Sequence, residues 1–400
     1  MHIIIHTQYY PPEIGAPQAR LHELAIGLMR QGIQVTVLTA MPSYPRGRIY
    51  EGYNGWLQTE NLDGVRVIRT VIFPTQSARM LPRLFSYFSF MLSSLLIGAW
   101  QIGKADFVLT ESPPLFLGMA GFVLSRWKHA RWIFNISDLW PESVVELGIV
   151  SRESLSYKLS SALEKFLYKK AWVVTGQSRT ILENIQERFP YLRVNHLPNG
   201  VDTNIFQPGD AQSVNKDFHI VYAGLHGLAQ GLEQILWAAQ KLPSTEHIDF
   251  TFVGDGPEKR QLIQSVKDLN LEHFRFLESV AKEEIPAVLR TADVLIVPLK
   301  IQLTGAVPSK LYEAMAIGKP IILIAESEAA KIVNDAKCGM VVHPGDIDGL
   351  VAAMLYLKTH PEVCKQMGAN GRRVAVQNHD RAQIVDHFAQ FLIEEQARNL

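Results

Sequence analysis

The run Pro308-Ser309-Lys310-Leu311-Tyr312-Glu313-Ala314-Met315-Ala316-Ile317-Gly318-Lys319-Pro320, followed by Ile321-Ile322-Leu323-Ile324, contains a loop, a helix, a glycine stop and a strand. The pattern predicts a helix that starts at Ser309 and stops at Gly318, ahead of a buried strand. A helix start leaves backbone N–H groups unpaired and carries partial positive charge, so it can hold a phosphate. Lys310 adds a full positive charge beside it. Glu313 lies four residues after Ser309, on the same helix face. A carboxylate there can accept hydrogen bonds from a vicinal diol such as a ribose. Taken alone, the segment is accounted for equally well by an ordinary amphipathic helix between a loop and a strand.

The same alternation of apolar, β-rich runs with amphipathic stretches extends in both directions. It predicts parallel sheets covered by helices on both faces. In the first half the strand candidates are 2–7, 34–39, 65–72, 107–110, 132–136, 172–176 and 194–197. Helix candidates include 18–31, 115–127, 154–170 and 178–188. Pro198-Asn199-Gly200-Val201-Asp202 is turn chemistry, and 206–218 is polar without helical period, which reads as a linker. A second series then begins, with strands at 219–223, 249–253, 274–277, 294–298 and 321–324. The fold expected is α/β: two Rossmann-like, doubly wound domains facing across a cleft. The expected division is an acceptor-binding domain at 1–203, a nucleotide-sugar domain at 204–378, and a C-terminal helix at 379–400 that packs back on the first domain. Ligands of such sheets bind at the carboxyl ends of the strands.

Composition narrows the partners. The 400 residues carry 39 Lys+Arg and 39 Asp+Glu, a net charge of zero, which argues against a dedicated nucleic-acid binder. The balance hides an asymmetry: residues 1–203 have 20 basic and 15 acidic side chains, whereas 204–400 have 19 and 24. The basic first half suits an anionic membrane surface. Arg126-Trp127-Lys128-His129-Ala130-Arg131-Trp132 adds a basic-aromatic run. Leu84 to Gly103 is free of charged residues and reads as a buried or interfacial helix in preference to a span. Two cysteines, Cys338 and Cys364, make no disulfide framework or Cys-rich metal site and fit a reducing compartment. No signal peptide is evident ahead of the first strand.

Four loops fall at predicted strand ends. The first, Tyr9-Tyr10-Pro11-Pro12-Glu13-Ile14-Gly15-Ala16-Pro17, has small residues where backbone can approach a ligand. It is not GxGxxG, which disfavours a nicotinamide-dependent dehydrogenase. In the second, Asp138 is either a cap near a helix headed by Pro141 or a carboxylate that positions a hydroxyl. The third runs from Tyr222 to Gly231, and its glycines, Gly224 and Gly227 among them, allow a phosphate nest. The fourth, Gly254-Asp255-Gly256-Pro257, reads as a structural turn. Asp346-Ile347-Asp348 has the look of a metal motif, but its place between Pro344-Gly345 and a helix makes it a cap.

Along its whole length the chain resembles the retaining glycosyltransferases of family 4 (group 1) with GT-B architecture. The motifs are His6-Thr7-Gln8-Tyr9-Tyr10-Pro11-Pro12, Pro198-Asn199-Gly200-Val201-Asp202 with Phe206, Gly254-Asp255-Gly256-Pro257, the Ser309–Ile321 segment, and Cys338-Gly339-Met340-Val341-Val342. The string Asp138-Leu139-Trp140-Pro141-Glu142-Ser143 is similar to the bacterial exopolysaccharide and O-antigen enzymes of the colanic acid type. The resemblance implies sugar transfer from a UDP- or GDP-sugar to a polyprenyl-linked or oligosaccharide acceptor in exopolysaccharide or lipopolysaccharide biosynthesis. It implies retention of configuration, no metal or other cofactor, and a cytoplasmic protein peripheral to the inner face of the plasma membrane.

It also assigns roles. Glu313 matches the second glutamate of the family's paired-glutamate motif and would hold the ribose. Ser309, Lys310 and Leu311 would meet the diphosphate through backbone, with Gly224 and Gly227 opposite. Leu277 to Val280 would receive the base, and Gly15 would approach the diphosphate from the first domain. Asp138 lies where many relatives carry a histidine, so Asp138, Lys310 and Glu313 are the catalytic candidates. The chain departs from the pattern at Gly305, where the first glutamate is missing, and at Leu225 and Gln230, where the diphosphate clamp is usually Arg and Lys. Lys310, with Lys300 behind it, is left to supply the cation. Two rivals stay open: a GT-B sugar-nucleotide epimerase, and a catalytically degenerate nucleotide- or glycan-binding subunit.

Overall fold

The computed structural model describes residues 1–77, 79–209, 217–243, 245–300 and 303–398. The chain forms two units, Met1–Asn199 with Arg381–Leu400, and Gly200–Asp380. The first holds β1 (His2–His6), β2 (Gln34–Ala40), β3 (Leu57–Leu62), β4 (Val65–Thr70), β5 (Phe107–Ser112), β6 (Arg131–Ile136), β7 (Val173–Gly176) and β8 (Val194–His196). Their order across the sheet is β3-β4-β2-β1-β5-β6-β7-β8. All neighbours are parallel except β3, which pairs antiparallel with β4. The β3–β4 hairpin turns on Asp63-Gly64, both at positive φ, as a two-residue hairpin loop requires.

Alternation along the central strands feeds two cores. Ile3 and Ile5 of β1 point into one with Val35, Val37, Leu21 and Leu24, whereas Ile4 points into the other with Leu38, Val108 and Phe134. The C-terminal helix Arg381–Ala397 closes the first core with Ile384, Val385, Phe388 and Leu392 against helix Ala16–Arg30. Burying each such side chain stabilises the unit by about 1.5–3 kcal/mol. Gly27 lets the two helices approach, because a Cβ there would lie 2.5 Å from Val385 Cγ1. At the helix's far end Arg193 donates to both Glu395 oxygens, at 2.8 and 2.6 Å.

The second unit holds β9 (Phe218–Ala223), β10 (Ile248–Val253), β11 (Phe274–Leu277), β12 (Val294–Pro298), β13 (Ile321–Ile324) and β14 (Gly339–Val342), in the order β11-β10-β9-β12-β13-β14 and all parallel. Every residue of β13 is buried, as expected for a strand covered on both faces. Each sheet reverses its winding beside its first strand: β1 lies between β2 and β5, and β9 between β10 and β12. Such switch points are where ligands bind.

Three readings change. The stretch 206–218 is not a linker between the units, since Phe206 is buried in the second unit's core; its residues 210–216 lie outside the described residues. The apolar stretch from Leu84 folds as helix Met80–Leu96 with a short 3-10 turn, Gly98–Gln101, and only one face of it is buried. Strands β3 and β14 are additional to the sequence reading; β3 is a polar edge strand whose outward residues are Thr59 and Asn61.

Candidate functional site

In the second unit the elements at the switch point converge on one small region. Helix Ser309–Ile317 begins after Pro308, which is extended and provides no side-chain cap, and ends at Gly318 in the left-handed conformation. The amide of Leu311 already pairs with Pro308 O at 3.0 Å, and its side chain is fully buried. Leu311 is therefore a core residue, and the amides left at the helix start are those of Ser309 and Lys310. The Lys310 side chain runs back across Gly224, at the end of β9. A Cβ on Gly224 would overlap Lys310 Cε, and Gly224 has φ +153. The ammonium stands 6.0 Å from the Tyr222 ring centroid. Burial lowers the Lys310 pKa, and the neighbouring Glu313 carboxylate opposes that shift. Glu313 is half-buried one turn along the same helix.

The glycine loop is held from below. Gly224 N–H donates to Val253 O at 2.8 Å, the Tyr222 hydroxyl donates to Leu225 O at 2.6 Å, and His226 N–H donates to Asp255 O at 2.9 Å. A Cβ on Gly254 would overlap Gly224 O, and one on Gly256 would overlap His226 O. The Gly254–Pro257 turn thus supports the loop by close backbone packing. Gly227 is buried beside Gln230, whose Oε1 is buried without a hydrogen-bond partner. That acceptor is where a ligand hydroxyl could donate.

Lys259, which sequence reasoning passed over, organises the next loop. Its buried ammonium donates to Gly254 O (2.9 Å), Leu277 O (3.1 Å) and Glu278 Oε1 (2.9 Å). It ties the ends of β10 and β11 together and so fixes the start of the Leu277–Val280 segment. Leu277 is exposed there and Val280 half-buried. The signal was its place at the start of the helix that follows Gly256-Pro257. His226, also passed over, is fully buried with neither ring nitrogen bonded, and burial pushes its pKa down to about 4. Lys300 does not join Lys310: its ammonium pairs with Glu233 at 2.6 Å and its stem covers Gly231. Gly305 has φ +78, a conformation a glutamate would adopt only with strain. Asp346 caps its helix through Gly349 N–H at 2.8 Å, and Asp348 pairs with Lys241, so that pair is structural.

The first unit places its candidates at the ends of β1, β5 and β6. Gly15 precedes helix Ala16–Arg30 in extended conformation, and a Cβ there would overlap the buried Gln18 amide, whose Oε1 has no partner. Glu13 accepts from the amides of Ser43 and Tyr44, both at 2.8 Å, and of Tyr10 at 3.3 Å, which locks the loop after β1 to the loop after β2. His6, at the end of β1, is buried with both ring nitrogens unpaired, and its pKa falls to about 3.

Asp138 follows β6 and is not a cap, because helix Glu142–Glu146 starts at Pro141 with no side-chain cap. Burial first, then the Glu111 carboxylate, push the Asp138 pKa up to about 6, and Arg20 opposes them. Beneath it lies a buried network absent from the sequence reading. Arg20 Nη2 donates to Glu111 Oε1 (2.5 Å) and Ser137 Oγ (2.8 Å), and Ser137 Oγ also donates to Glu111. Asn135 Nδ2 donates to Glu111 Oε2 (2.6 Å) and its Oδ1 accepts from Thr175 (2.6 Å). Glu111, Asn135 and Thr175 lie toward the carboxyl ends of β5, β6 and β7, and a buried polar position at a strand's carboxyl end was the available signal.

The chemistry of the two halves differs. The second unit has the buried Lys310 ammonium, open helix amides and close glycine backbone, which suit a diphosphate; the first has the Asp138 carboxyl, raised to about 6, which suits a hydroxyl. Among the described residues no group of three or more His, Cys, Asp or Glu gathers as a metal site.

Comparison with known proteins bears on both units. A family model described as "Glycosyl transferase 4-like domain" matches residues 15–200, and one described as "Glycosyl transferases group 1" matches residues 205–374. WcaI of Escherichia coli, whose name attaches it to colanic acid biosynthesis, is 26% identical over 387 residues, covering 92% of this chain and 95% of that protein. Sucrose-phosphate synthase of Thermosynechococcus elongatus superposes with a TM-score of 0.77 at 18% identity and 99% coverage of both chains. HepE of Anabaena in complex with UDP superposes with a TM-score of 0.71 at 17% identity, over 98% of this chain and 100% of that one. With a family model on each half and a relative aligned along nearly its whole length, the chain is a glycosyltransferase of the two-domain GT-B fold, a glycosyl transferase 4-like domain followed by a group 1 glycosyl transferase domain.

Proposed function

We propose that the protein transfers a sugar from a UDP- or GDP-sugar to a lipid-linked or glycan acceptor during surface polysaccharide biosynthesis, with retention of configuration. The observation that carries the donor half is Lys310 lying over Gly224 beside the uncapped helix start, with Glu313 one turn on. As the sugar leaves, negative charge builds on the diphosphate. Fixed amides and a desolvated ammonium stabilise that charge without reorganising. Glu313 takes the ribose hydroxyls. Gly15 serves the donor diphosphate through its backbone, and Asp138, ionised above about pH 6, orients the incoming hydroxyl and takes its proton. Same-face attack needs no enzymic nucleophile. The UDP named in the HepE complex and the colanic acid name of WcaI support the choice of donor class and pathway.

Calorimetric titration with UDP and GDP tests the donor site. Lys310→Ala removes a charge-assisted contact worth about 1.5–3 kcal/mol, roughly ten- to a hundredfold in affinity. Unchanged affinity in that variant would mean that the diphosphate is held elsewhere. An isomerised nucleotide-sugar as the product would point to the epimerase. Tight nucleotide binding without turnover would point to the degenerate subunit, the reading that Gly305, Leu225 and Gln230 favour.

The same reading places the protein in the cytoplasm, peripheral to the inner membrane face through its first unit. Helix Met80–Leu96 exposes Leu81, Phe85, Phe88, Leu92 and Leu96, and the neighbouring helix Leu117–Lys128 exposes Val123 and Trp127. Trp127 stands edge-on to exposed Trp100 at 4.9 Å. Nearby, a cavity of about 530 Å³ is lined by Arg126, Arg131, Lys169 and Lys170. Aromatic side chains beside cations suit the headgroup layer.

A further inference from the structure

A second cavity of the first unit, about 170 Å³, has no part in the chemistry above. Its walls include Leu84 and Tyr87 of helix Met80–Leu96, Phe116, Trp140, Val144 and Ser160. Arg83 lines it as well, and no carboxylate does. The lining hydroxyl of Tyr157 is already bonded to Glu142 Oε1 at 2.7 Å. What remains is an apolar hole with a single cation beside it.

Its position is informative. Trp140 follows Asp138 by two residues, so the hole sits at the carboxyl end of β6. On its other side, Tyr87 and Arg83 lie near enough to shift the titration of Tyr9, in the loop after β1. The hole is therefore bracketed by two loops of the proposed acceptor half. Leu81 and Phe85, exposed on the same helix as Leu84, continue the apolar surface outward.

An acceptor that ends in sugar, phosphate and hydrocarbon has the matching order of groups. A cavity near this size takes a ligand such as benzene, so it would hold one isoprene unit and leave the rest of a chain to the exposed helix face. We propose that this cavity is the subsite for the first isoprenoid unit of a polyprenyl-phosphate-linked acceptor, with Arg83 facing the phosphate. The proposal rests on the transferase reading and selects the lipid-linked acceptor from the two classes left open there.

Farnesyl diphosphate is the probe, titrated into the full chain and followed by tryptophan fluorescence, to which Trp140 reports. Wild type should show saturable binding. Ser160→Phe and Val144→Phe fill the cavity from two different elements, and each should weaken binding by about tenfold or more. Arg83→Ala should weaken farnesyl diphosphate but leave farnesol unchanged. UDP affinity, measured on the same samples, should stay at the wild-type value in all three variants, which also reports that they are folded. Wild-type affinity for farnesyl diphosphate in both filled variants would overturn the proposal. So would its displacement by dihexanoyl phosphatidylglycerol at equal concentration, which would assign the hole to a bilayer lipid. Loss of UDP binding in the wild type, with farnesyl diphosphate still bound, would instead strike at the donor site and leave the lipid subsite standing.

Discussion

Asp138 and Lys310 are both held where their charged forms are costly, and in opposite senses. Burial raises the carboxyl and lowers the ammonium. For Asp138 the folded value of about 6 lies above its ordinary 3.8. The folded protein therefore binds this proton more tightly than the unfolded chain does. Its contribution to stability is present in acid and is lost as pH rises through about 6. Asp138→Asn should accordingly raise the thermal midpoint near pH 8, and the gain should shrink as pH falls below about 6 and vanish only below the ordinary 3.8, near about pH 3. The same variant should lose most transferase activity and, with it, an acidic limb near about pH 6. An equal stability gain at both pH values would show that the carboxyl titrates normally. The helix that carries Ser309, Lys310 and Glu313 was legible because a helix start and a glycine stop have a sequence signature. The pairing of Arg20 with Glu111 was not, because the partners lie 91 residues apart and sequence spacing carries no trace of that.

At the level of elements, strands rich in Ile and Val were readable and polar edges were not. β3 is Leu-Gln-Thr-Glu-Asn-Leu, which has no run of apolar residues, though Asp63-Gly64 after it is a hairpin signal. The apolar composition of Leu84–Gly103 marked a helix but could not say which side faces the core; the buried Ser86, Phe90, Ser93 and Ser94 define that side, and three of the four are serines. The C-terminal helix shows how a contact distant in sequence depends on one small residue. Gly27 faces Val385 across the two packed helices. Gly27→Leu should overpack that contact and cost about 1–3 kcal/mol. Val385→Ala added to it should recover part of the loss, a coupling that a double-mutant cycle in urea measures. Additive effects would mean that the helices do not meet at this point.

Across the whole molecule the charges cancel, yet the excess of five cations over residues 1–203 (20 minus 15) coincides with the unit that exposes Phe85, Leu92, Trp100 and Trp127. That coincidence is what the proposed docking on an anionic bilayer would use. The two contributions separate by experiment. Attraction to anionic headgroups is worth about 1 kcal/mol per basic residue near the surface and is screened within about 10 Å at 0.1 M salt. Insertion of aromatic and aliphatic side chains is largely indifferent to salt. The protein should therefore sediment with vesicles containing phosphatidylglycerol and much less with pure phosphatidylcholine. Added salt should weaken binding without abolishing it. Lys169→Glu with Lys170→Glu should remove most of the salt-sensitive part, at about 1 kcal/mol or more for each lysine. Phe85→Ser with Leu92→Ser should remove the part that survives salt, and UDP affinity should be unchanged in both double variants because all four residues lie on the first unit. Equal sedimentation with both kinds of vesicle, or none with either, would mean that the charge asymmetry serves something other than a membrane.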